Sequence, residues 1–295
     1  MRRADDKQNL QVHESGSGPG LVLLCGDVSA SIANARGTLF AEEGYAVLNL
    51  PGSPAPAEVA AAADTLAEKT ECTGGPVCIA HGKPIEAALA VAGKFDAVVA
   101  FDPDPSAPAD TLNRACACPT VWQFGTKDDS DASALVCALR TGLDPSNGSR
   151  VYEWPDAAAG FSLPGHPAFD GRVDSLAHSR TLELIRRMVG PHYDYVALFA
   201  EHIRHEFETR DVDATMETMI SDPYVNHVAT LAGGVGHDML KRFYKYHFVE
   251  QNSTDRSSVT VSHTLGPDRV VLELVVRFKH DQMLDRYFPE IEPTQ

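Results

Sequence analysis

The segment best suited to carry chemistry is residues 77–92, an apolar strand followed by a tight turn and an Ala-rich helix. In a strand–turn–helix of this kind, the pattern G-x-S-x-G raises a Ser or Cys nucleophile to the top of a sheet. Here positions 80–84 read A-H-G-K-P, so both framework glycines are replaced and Gly82 occupies the nucleophile position. Because glycine has no side chain, it cannot attack a carbonyl. The segment therefore predicts the frame of a nucleophilic enzyme without its nucleophile.

Three further phrases accompany this segment in the first part of the chain. Residues 39–47 read L-F-A-E-E-G-Y-A-V, residues 124–128 read F-G-T-K-D, and residues 151–161 read V-Y-E-W-P-D-A-A-A-G-F. In order and spacing they resemble the dienelactone hydrolases, a branch of the α/β-hydrolases. The resemblance implies an α/β-hydrolase-like domain over residues 19–190, after a flexible N-terminus of residues 1–18.

The same resemblance implies the roles of the catalytic triad. It places the acid at Asp128, the nucleophile at Gly82, and the base at Ala159, where the family has a His. Since triad members act as a unit, these replacements predict that ordinary Ser/Cys-His-Asp hydrolysis is lost. The turn that contains Gly26 and Asp27 would supply oxyanion-hole amides, so both are predicted ligand-binding residues.

Other side chains near the elbow leave alternatives open. His81 stands next to the vacant position, where it would be either catalytic or structural. Cys78 lies within the elbow strand and is either a buried apolar thiol or a substitute nucleophile. His166 follows the vacant base position in the sequence P-G-H-P, and either folds back to the site or remains in a solvated loop.

The elements that position these residues follow from the apolar pattern. Short continuous apolar runs are typical of strands buried on both faces. Besides the elbow strand, they lie at residues 21–25, 45–50, 95–101, 119–124 and 150–154, with helices predicted at 32–43, 56–70, 130–140 and 173–189. Because strands and helices alternate, we predict an α/β fold with a doubly wound, mostly parallel sheet.

The pattern changes near residue 190. The remaining chain predicts helices at 193–209, 212–220 and 237–248, then strands at 258–265 and 269–279. Helices followed by strands indicate a smaller α+β domain over residues 191–295.

Two phrases in this second domain carry a resemblance. Residues 211–219 read D-V-D-A-T-M-E-T-M, and residues 222–228 read D-P-Y-V-N-H-V. They resemble the SnoaL-like branch of the NTF2-like folds, which implies a cavity for a small hydrophobic molecule between helices and a curved sheet. Complete members of that branch continue with further strands. The resemblance therefore implies a truncated domain with an uncovered sheet edge, which a homodimer would cover.

Four residues of the second domain are predicted to bind the ligand: His202, Tyr224, Asn226 and His227. His202 lies on one stripe of a helix, and Tyr224 and Asn226 share one face of a strand while His227 faces the other way. His227 is the general-base candidate, because imidazole titrates near neutral pH, and the alternative is a hydrogen-bonded core His. No histidine or cysteine spacing matches a metal site, so we predict neither metal nor cofactor.

Composition narrows the classes of partner. The chain has 295 residues and a formal net charge of -16, which disfavours nucleic acid and anionic membranes as partners. No apolar run reaches the ~20 residues that span a bilayer. The six cysteines form no CxxC, and with no visible signal peptide this predicts a cytoplasmic location.

Three functions from different classes remain open at this stage. The first is binding or conversion of a small lactone, ester or polyketide-like molecule, with any chemistry (cyclisation, isomerisation or hydration) in the SnoaL-like pocket. The second is an active ester or lactone hydrolase with a substitute nucleophile. The third is a non-catalytic binding or scaffold protein. Fold class alone does not choose among them.

Overall fold

The computed structural model describes residues 2–5, 10–12, 15–115, 117–287 and 291–293. The chain divides into two compact units, Met1–His192 and Tyr193–Gln295, close to the position where the sequence pattern changes. Each unit is described separately below.

The first unit is built on an eight-stranded sheet with the order β1-β2-β4-β3-β5-β6-β7-β8. Its strands are β1 (Arg2–Asp5), β2 (Leu10–Val12), β3 (Gly20–Leu24), β4 (Ala46–Leu50), β5 (Val77–His81), β6 (Ala97–Phe101), β7 (Thr120–Gly125) and β8 (Arg150–Trp154). Strands β3 to β8 run parallel, whereas β1 and β2 are antiparallel to their neighbours. The predicted α/β class with a mostly parallel sheet is confirmed.

Helices cover both faces of this sheet. They are α1 (Ala30–Glu42), α2 (Pro56–Glu68), α3 (Pro84–Ala90), α4 (Ala109–Ala115), α5 (Ser130–Gly142) and α6 (Gly171–Val189), with short 3-10 turns at Ala92–Lys94 and Pro145–Asn147. Helices α2, α3 and α5 contribute to the apolar core on one face, and α1 and α6 to the core on the other. Alternate residues of β3 supply both cores, which explains why its sequence is apolar throughout.

The N-terminal segment corrects one prediction. Residues 10–12 form β2, which pairs with β4, and all three are buried. Leu10 and Val12 pack into the same core as α2, so burial of their side chains fixes a segment that the polar neighbouring sequence predicted to be flexible. The expected flexible N-terminus over residues 1–18 therefore does not hold for β2.

The second unit is smaller and has its own core. Its helices are α7 (Tyr195–Arg204), α8 (Val212–Glu217) and α9 (His237–Phe243), and π-helical turns at His205–Thr209 and Tyr244–Val249 extend the first and last of these. Two antiparallel hairpins complete it: β9 (Tyr224–His227) with β10 (Ala232–Val235), and β11 (Arg256–Leu265) with β12 (Val270–Phe278). The core contains Met216, Leu240, Phe243, Tyr244, Phe248 and Val249.

The hairpin of β11 and β12 is largely exposed. Val259 and Val275 form a cross-strand pair and are 59% and 47% exposed. Within the described part of the second unit, the hairpins are separate two-stranded sheets, and no third strand joins either one. Nor does any helix among the described residues combine the length and apolar character required to cross a bilayer.

Candidate functional site

A cavity of about 340 Å³ lies where several strands of the first unit end. This is the edge at which parallel α/β sheets bind ligands. It brings together the elbow residues His81 and Gly82, the turn residues Gly26 and Asp27, and Ala159. Residues that lie far apart in the sequence therefore meet at this cavity.

Gly82 forms the turn between β5 and α3. Its φ angle is +64°, in the region that favours glycine, and its N–H donates to the carbonyl of Phe101 at 2.9 Å. A Cβ atom placed on Gly82 would meet no heavy atom within 4 Å. Glycine adopts this φ without strain, whereas a residue with a side chain would be strained there, and the space beside the turn is open.

His81 forms part of the buried floor of the cavity. Its ring stacks on Phe101 with the centroids 4.6 Å apart, and its Nδ1 shares a 3.3 Å hydrogen bond with the Ser162 hydroxyl. Burial, aided by the nearby cation of Arg36, lowers the pKa of the His81 imidazole well below its ordinary value. The contacts hold His81 as a neutral, buried ring that is packed on its neighbours.

Arg36 is a permanent charge in the interior beside this floor. Its Nη1 donates to the Asp174 carboxylate at 2.8 Å, and its guanidinium lies over the rings of Phe40 and Phe101. Arg36 is fully buried, and its Nε and Nη2 have no hydrogen-bond partner among the described residues. The negative charge of Asp174 therefore compensates the buried positive charge of Arg36.

Asp102 directly follows β6 and lines the same cavity as Gly82, although sequence reasoning did not single it out. Its two carboxylate oxygens accept the backbone N–H groups of Gly125 and Gly160, each at 2.8 Å. Burial raises the pKa of Asp102 to about 6, against the opposing effect of these two hydrogen bonds. The sequence did contain one signal for Asp102, namely its position. An Asp directly after a buried parallel strand lies at the edge of the sheet where ligands bind.

His166 lines the same cavity as Ala159, so the chain folds back toward residue 159. Its Nδ1 accepts the N–H of Ala168 at 3.1 Å. The imidazole packs against Gly160, because a Cβ there would lie 2.5 Å from the ring. The accepted bond places the proton of a neutral His166 on Nε2.

The cysteines near the elbow are poor nucleophiles. Cys25 lines the cavity, but burial raises the pKa of its thiol to about 12. Cys78 lies inside β5, is fully buried, and its thiol pKa is raised further by burial. Since the thiolate is the reactive form, neither environment activates sulfur.

Asp128, the predicted acid member, lies outside this cavity. It follows β7 with a φ angle of +58° and is exposed. Asp102, by contrast, binds the backbone beside Ala159 through Gly160. Asp102, rather than Asp128, is therefore the carboxylate that is bonded to the chain next to residue 159.

In the second unit, His202 belongs to a buried polar chain. Its Nδ1 bonds the Thr218 hydroxyl at 2.6 Å, and its Nε2 lies 3.0 Å from the Glu206 carboxylate. Burial and the adjacent Glu206 raise the pKa of Tyr244. The helical stripe predicted for His202 therefore packs within the unit.

The residues predicted on β9 point in two directions. Tyr224 is 76% exposed and Asn226 is also exposed, whereas His227 packs against the rings of Phe243 and Tyr287. The His227 Nδ1–H donates to the Ala232 carbonyl at 3.2 Å, which leaves Nε2 as the basic nitrogen. The structure therefore does not bring Tyr224 and Asn226 together with His227.

Neither metal-binding side chains among the described residues nor related sequences identify the function of this chain. Among the described residues, no group of three or more His, Cys, Asp or Glu side chains is placed to hold a metal ion. No family model matches the chain, and no curated protein matches it.

Solved structures similar to this chain include esterases and proteins described as dienelactone hydrolases. The esterase domain of a Rhodothermus marinus protein is 14% identical, covers 62% of this chain and 92% of its own, and gives a TM-score of 0.47. A Klebsiella pneumoniae protein described as a dienelactone hydrolase is 15% identical, with 58% and 88% coverage and a TM-score of 0.49. A dienelactone hydrolase-like promiscuous phosphotriesterase from metagenomic libraries is 16% identical, with 60% and 89% coverage and a TM-score of 0.45.

Proposed function

We propose that the first unit binds a small lactone- or ester-like molecule in the cavity above Gly82 and does not hydrolyse it through an acyl-enzyme. The observation that carries the proposal is the geometry of Gly82. Its backbone turns as an elbow does, and the space for a nucleophile is open but no side chain occupies it. Covalent acyl transfer needs an attacking atom, and glycine supplies none.

The cavity has polar groups that can orient such a ligand. Asp27, Ser53 and Lys83 line it together with Asp102 and His166. These side chains provide donors and acceptors, while the floor at His81 is an aromatic stack. A few polar groups on a partly apolar wall are typical of small-molecule sites.

A hydrolase with a substitute nucleophile is the competing function. Within this cavity, Cys25 and Ser53 are the side chains with a thiol or hydroxyl group. The raised pKa of Cys25 opposes attack by sulfur. No described histidine or carboxylate is bonded to the Ser53 hydroxyl, so a base that would activate it is missing among the described residues.

Turnover tests this choice directly. The purified 295-residue protein should hydrolyse 4-nitrophenyl acetate and dihydrocoumarin no faster than buffer alone; Gly93→Ser, at an exposed glycine with open space around it, is the matched control for a serine introduced at residue 82. Gly82→Ser should label with a fluorophosphonate but turn over slowly, and adding Ala159→His should raise turnover at least about tenfold, because nucleophile and base act as a unit. Wild-type turnover that Ser53→Ala or Cys25→Ala abolishes would contradict the proposal.

Binding requires a separate test. Dihydrocoumarin at about 100 times its Kd should stabilise the first unit by about 2.7 kcal/mol. Gly82→Phe fills the open space and should remove this stabilisation, whereas Gly82→Ala has the same backbone constraint and should keep it. Equal ligand-induced stabilisation in both variants would place the ligand elsewhere.

For the second unit, we propose a SnoaL-like role in which His227 acts as a general base in a cyclisation, isomerisation or hydration. The specific observation is its tautomer, because Nδ1–H is used by the Ala232 carbonyl and Nε2 is left to accept a proton. His227→Asn should abolish hydration of a styrene oxide probe. His263→Asn, on the exposed face of β11, should leave it unchanged. Absence of hydration in the wild-type protein would contradict this role.

A further inference from the structure

The second unit contains a cavity of about 270 Å³ that none of the predicted site residues lines. Part of its wall is apolar, formed by Phe207, Phe278 and Leu284. The apolar wall can hold the body of an aromatic or branched aliphatic molecule. The remaining wall determines which head group that molecule carries.

Arg256, the first residue of β11, supplies one cation to this wall. Its guanidinium carbon lies 3.6 Å from the ring centroid of Phe207. Among the described residues, Arg256 has neither a hydrogen-bond partner nor an ion-pair partner. Its donors are therefore available in the cavity, and the aromatic ring holds the guanidinium in place.

Arg286 supplies a second cation and is only 3% exposed. It is anchored by the carbonyls of His247 and Phe248, at 3.0 and 3.2 Å, and by the amide oxygen of Asn252. Its Nε and the Asn252 Nδ2 are buried and have no partner among the described residues. Both atoms are enclosed by protein, so Arg286 contributes its positive charge to the cavity wall rather than these two donors.

The carboxylates that act electrostatically on these guanidinium groups already have partners. Glu206 lies 3.0 Å from His202, and Asp285 lies 2.8 Å from His247. Within the described part of the chain, neither forms an ion pair with Arg256 or Arg286. Glu206 nevertheless acts electrostatically on both guanidinium groups, which favours a singly charged ligand over a dianion.

We propose that this cavity binds a small monocarboxylate with an apolar body, its carboxylate held by Arg256 and Arg286 and its body packed against Phe207. Planar guanidinium groups match the two oxygens of a carboxylate. The proposal concerns residues other than those of the cavity above Gly82, and it does not require any chemistry at His227.

Calorimetric titration of the full-length protein with 2-naphthoate tests the proposal. We expect binding of 2-naphthoate and at least about tenfold weaker binding of the neutral 2-naphthamide and of the dianion 2-naphthyl phosphate, since hydrogen bonds to a charged group account for such differences. Arg256→Gln should weaken 2-naphthoate binding by about tenfold or more. Arg277→Gln, an exposed arginine on β12, should leave it unchanged.

Two further variants separate loss of ligand binding from loss of folding, and this cavity from the cavity of the first unit. Asn252→Asp adds a carboxylate that competes for Arg286 and should weaken binding even if Arg256→Gln disturbs folding. Gly82→Phe should retain 2-naphthoate binding, which separates this site from the cavity of the first unit. Equal affinity for 2-naphthamide, tighter binding of 2-naphthyl phosphate, or equal effects of Arg256→Gln and Arg277→Gln would overturn the proposal.

Discussion

The carboxyl group of Asp102 should make the first unit less stable as pH rises. Its folded-state pKa is about 6, above the value of 3.8 that describes the unfolded chain. Between these values the folded state binds more protons than the unfolded state, so the free energy of unfolding falls with rising pH and stays low above about pH 6. A pKa difference of about 2 between the folded and unfolded states corresponds to about 3 kcal/mol in the free energy of unfolding. Asp102 is partly exposed to the cavity, and water there reduces the expected loss to about 1–3 kcal/mol.

The assay compares wild type with Asp102→Asn, which stays neutral at every pH. Both tryptophans, Trp122 and Trp154, lie in the first unit, so their fluorescence during urea unfolding reports on that unit alone. The stability of wild type minus that of the variant should fall by about 1–3 kcal/mol between about pH 4 and about pH 7. Asp64→Asn, at an exposed carboxylate paired with Lys94, serves as the control and should show no such fall.

Subtracting the stability of Asp102→Asn from that of wild type also removes the contributions of the other titrating groups. Asn donates where Asp accepts, so the variant loses hydrogen bonds to Gly125 or Gly160 at all pH values, but that loss does not titrate. A stability difference between wild type and Asp102→Asn that stays constant or grows with pH would mean that burial does not raise the pKa of Asp102 above its unfolded value. The two N–H donors would then lower this pKa at least as much as burial raises it. The reasoning about Asp102 would then be refuted.

Three other changes test the surroundings of the same site. Asp174→Asn should lower the urea-unfolding stability of the first unit by about 3–5 kcal/mol, because it leaves the charge of Arg36 buried without a partner. Gly160→Ala should move the His166 ring out of the cavity, seen as a changed imidazole NMR signal, because the new Cβ would lie 2.5 Å from that ring. Gly82→Ala should cost about 1–2 kcal/mol in the same unfolding assay through its positive φ alone.

Two control variants at exposed sites give the stability changes with which Asp174→Asn and Gly82→Ala should be compared. Asp64→Asn breaks an exposed ion pair and should cost less than about 1 kcal/mol. Gly93→Ala adds a Cβ in open space at an exposed site without a positive φ and should be close to neutral. If Gly82→Ala were equally neutral, the positive φ at residue 82 would carry no cost; if Asp174→Asn were as mild as Asp64→Asn, the charge of Arg36 would not depend on Asp174.

The sheet of the first unit was predictable because its strands are continuous apolar runs ended by turn residues. The strand predicted at 150–154 is β8, and the run at 21–25 contains most of β3. Strand β2 was missed because three residues flanked by polar sequence give too short a signal, and it is fixed by pairing with the distant β4. Long-range pairing of this kind leaves no local pattern.

The site was predictable only where its residues belong to one local motif. The elbow at Gly82 is such a motif, since strand, turn and helix follow each other directly. The role of Asp102 depends on Gly125 and Gly160, which reach it through tertiary structure. The helix predicted over 193–209 is α-helical only to Arg204 and continues as a π-helical turn, because apolar periodicity does not register the wider winding.

The proposed binding role of the cavity above Gly82 has a consequence for how long a ligand stays bound. Under that proposal no atom captures the carbonyl, so an ester that enters the cavity would leave as the same ester and dissociation alone would end its residence. Occupancy then follows the ambient ligand concentration and leaves that concentration unchanged, whereas a hydrolase depletes what it detects. In this respect the proposed role of the scaffold around Gly82 is closer to that of a receptor than to that of a hydrolase.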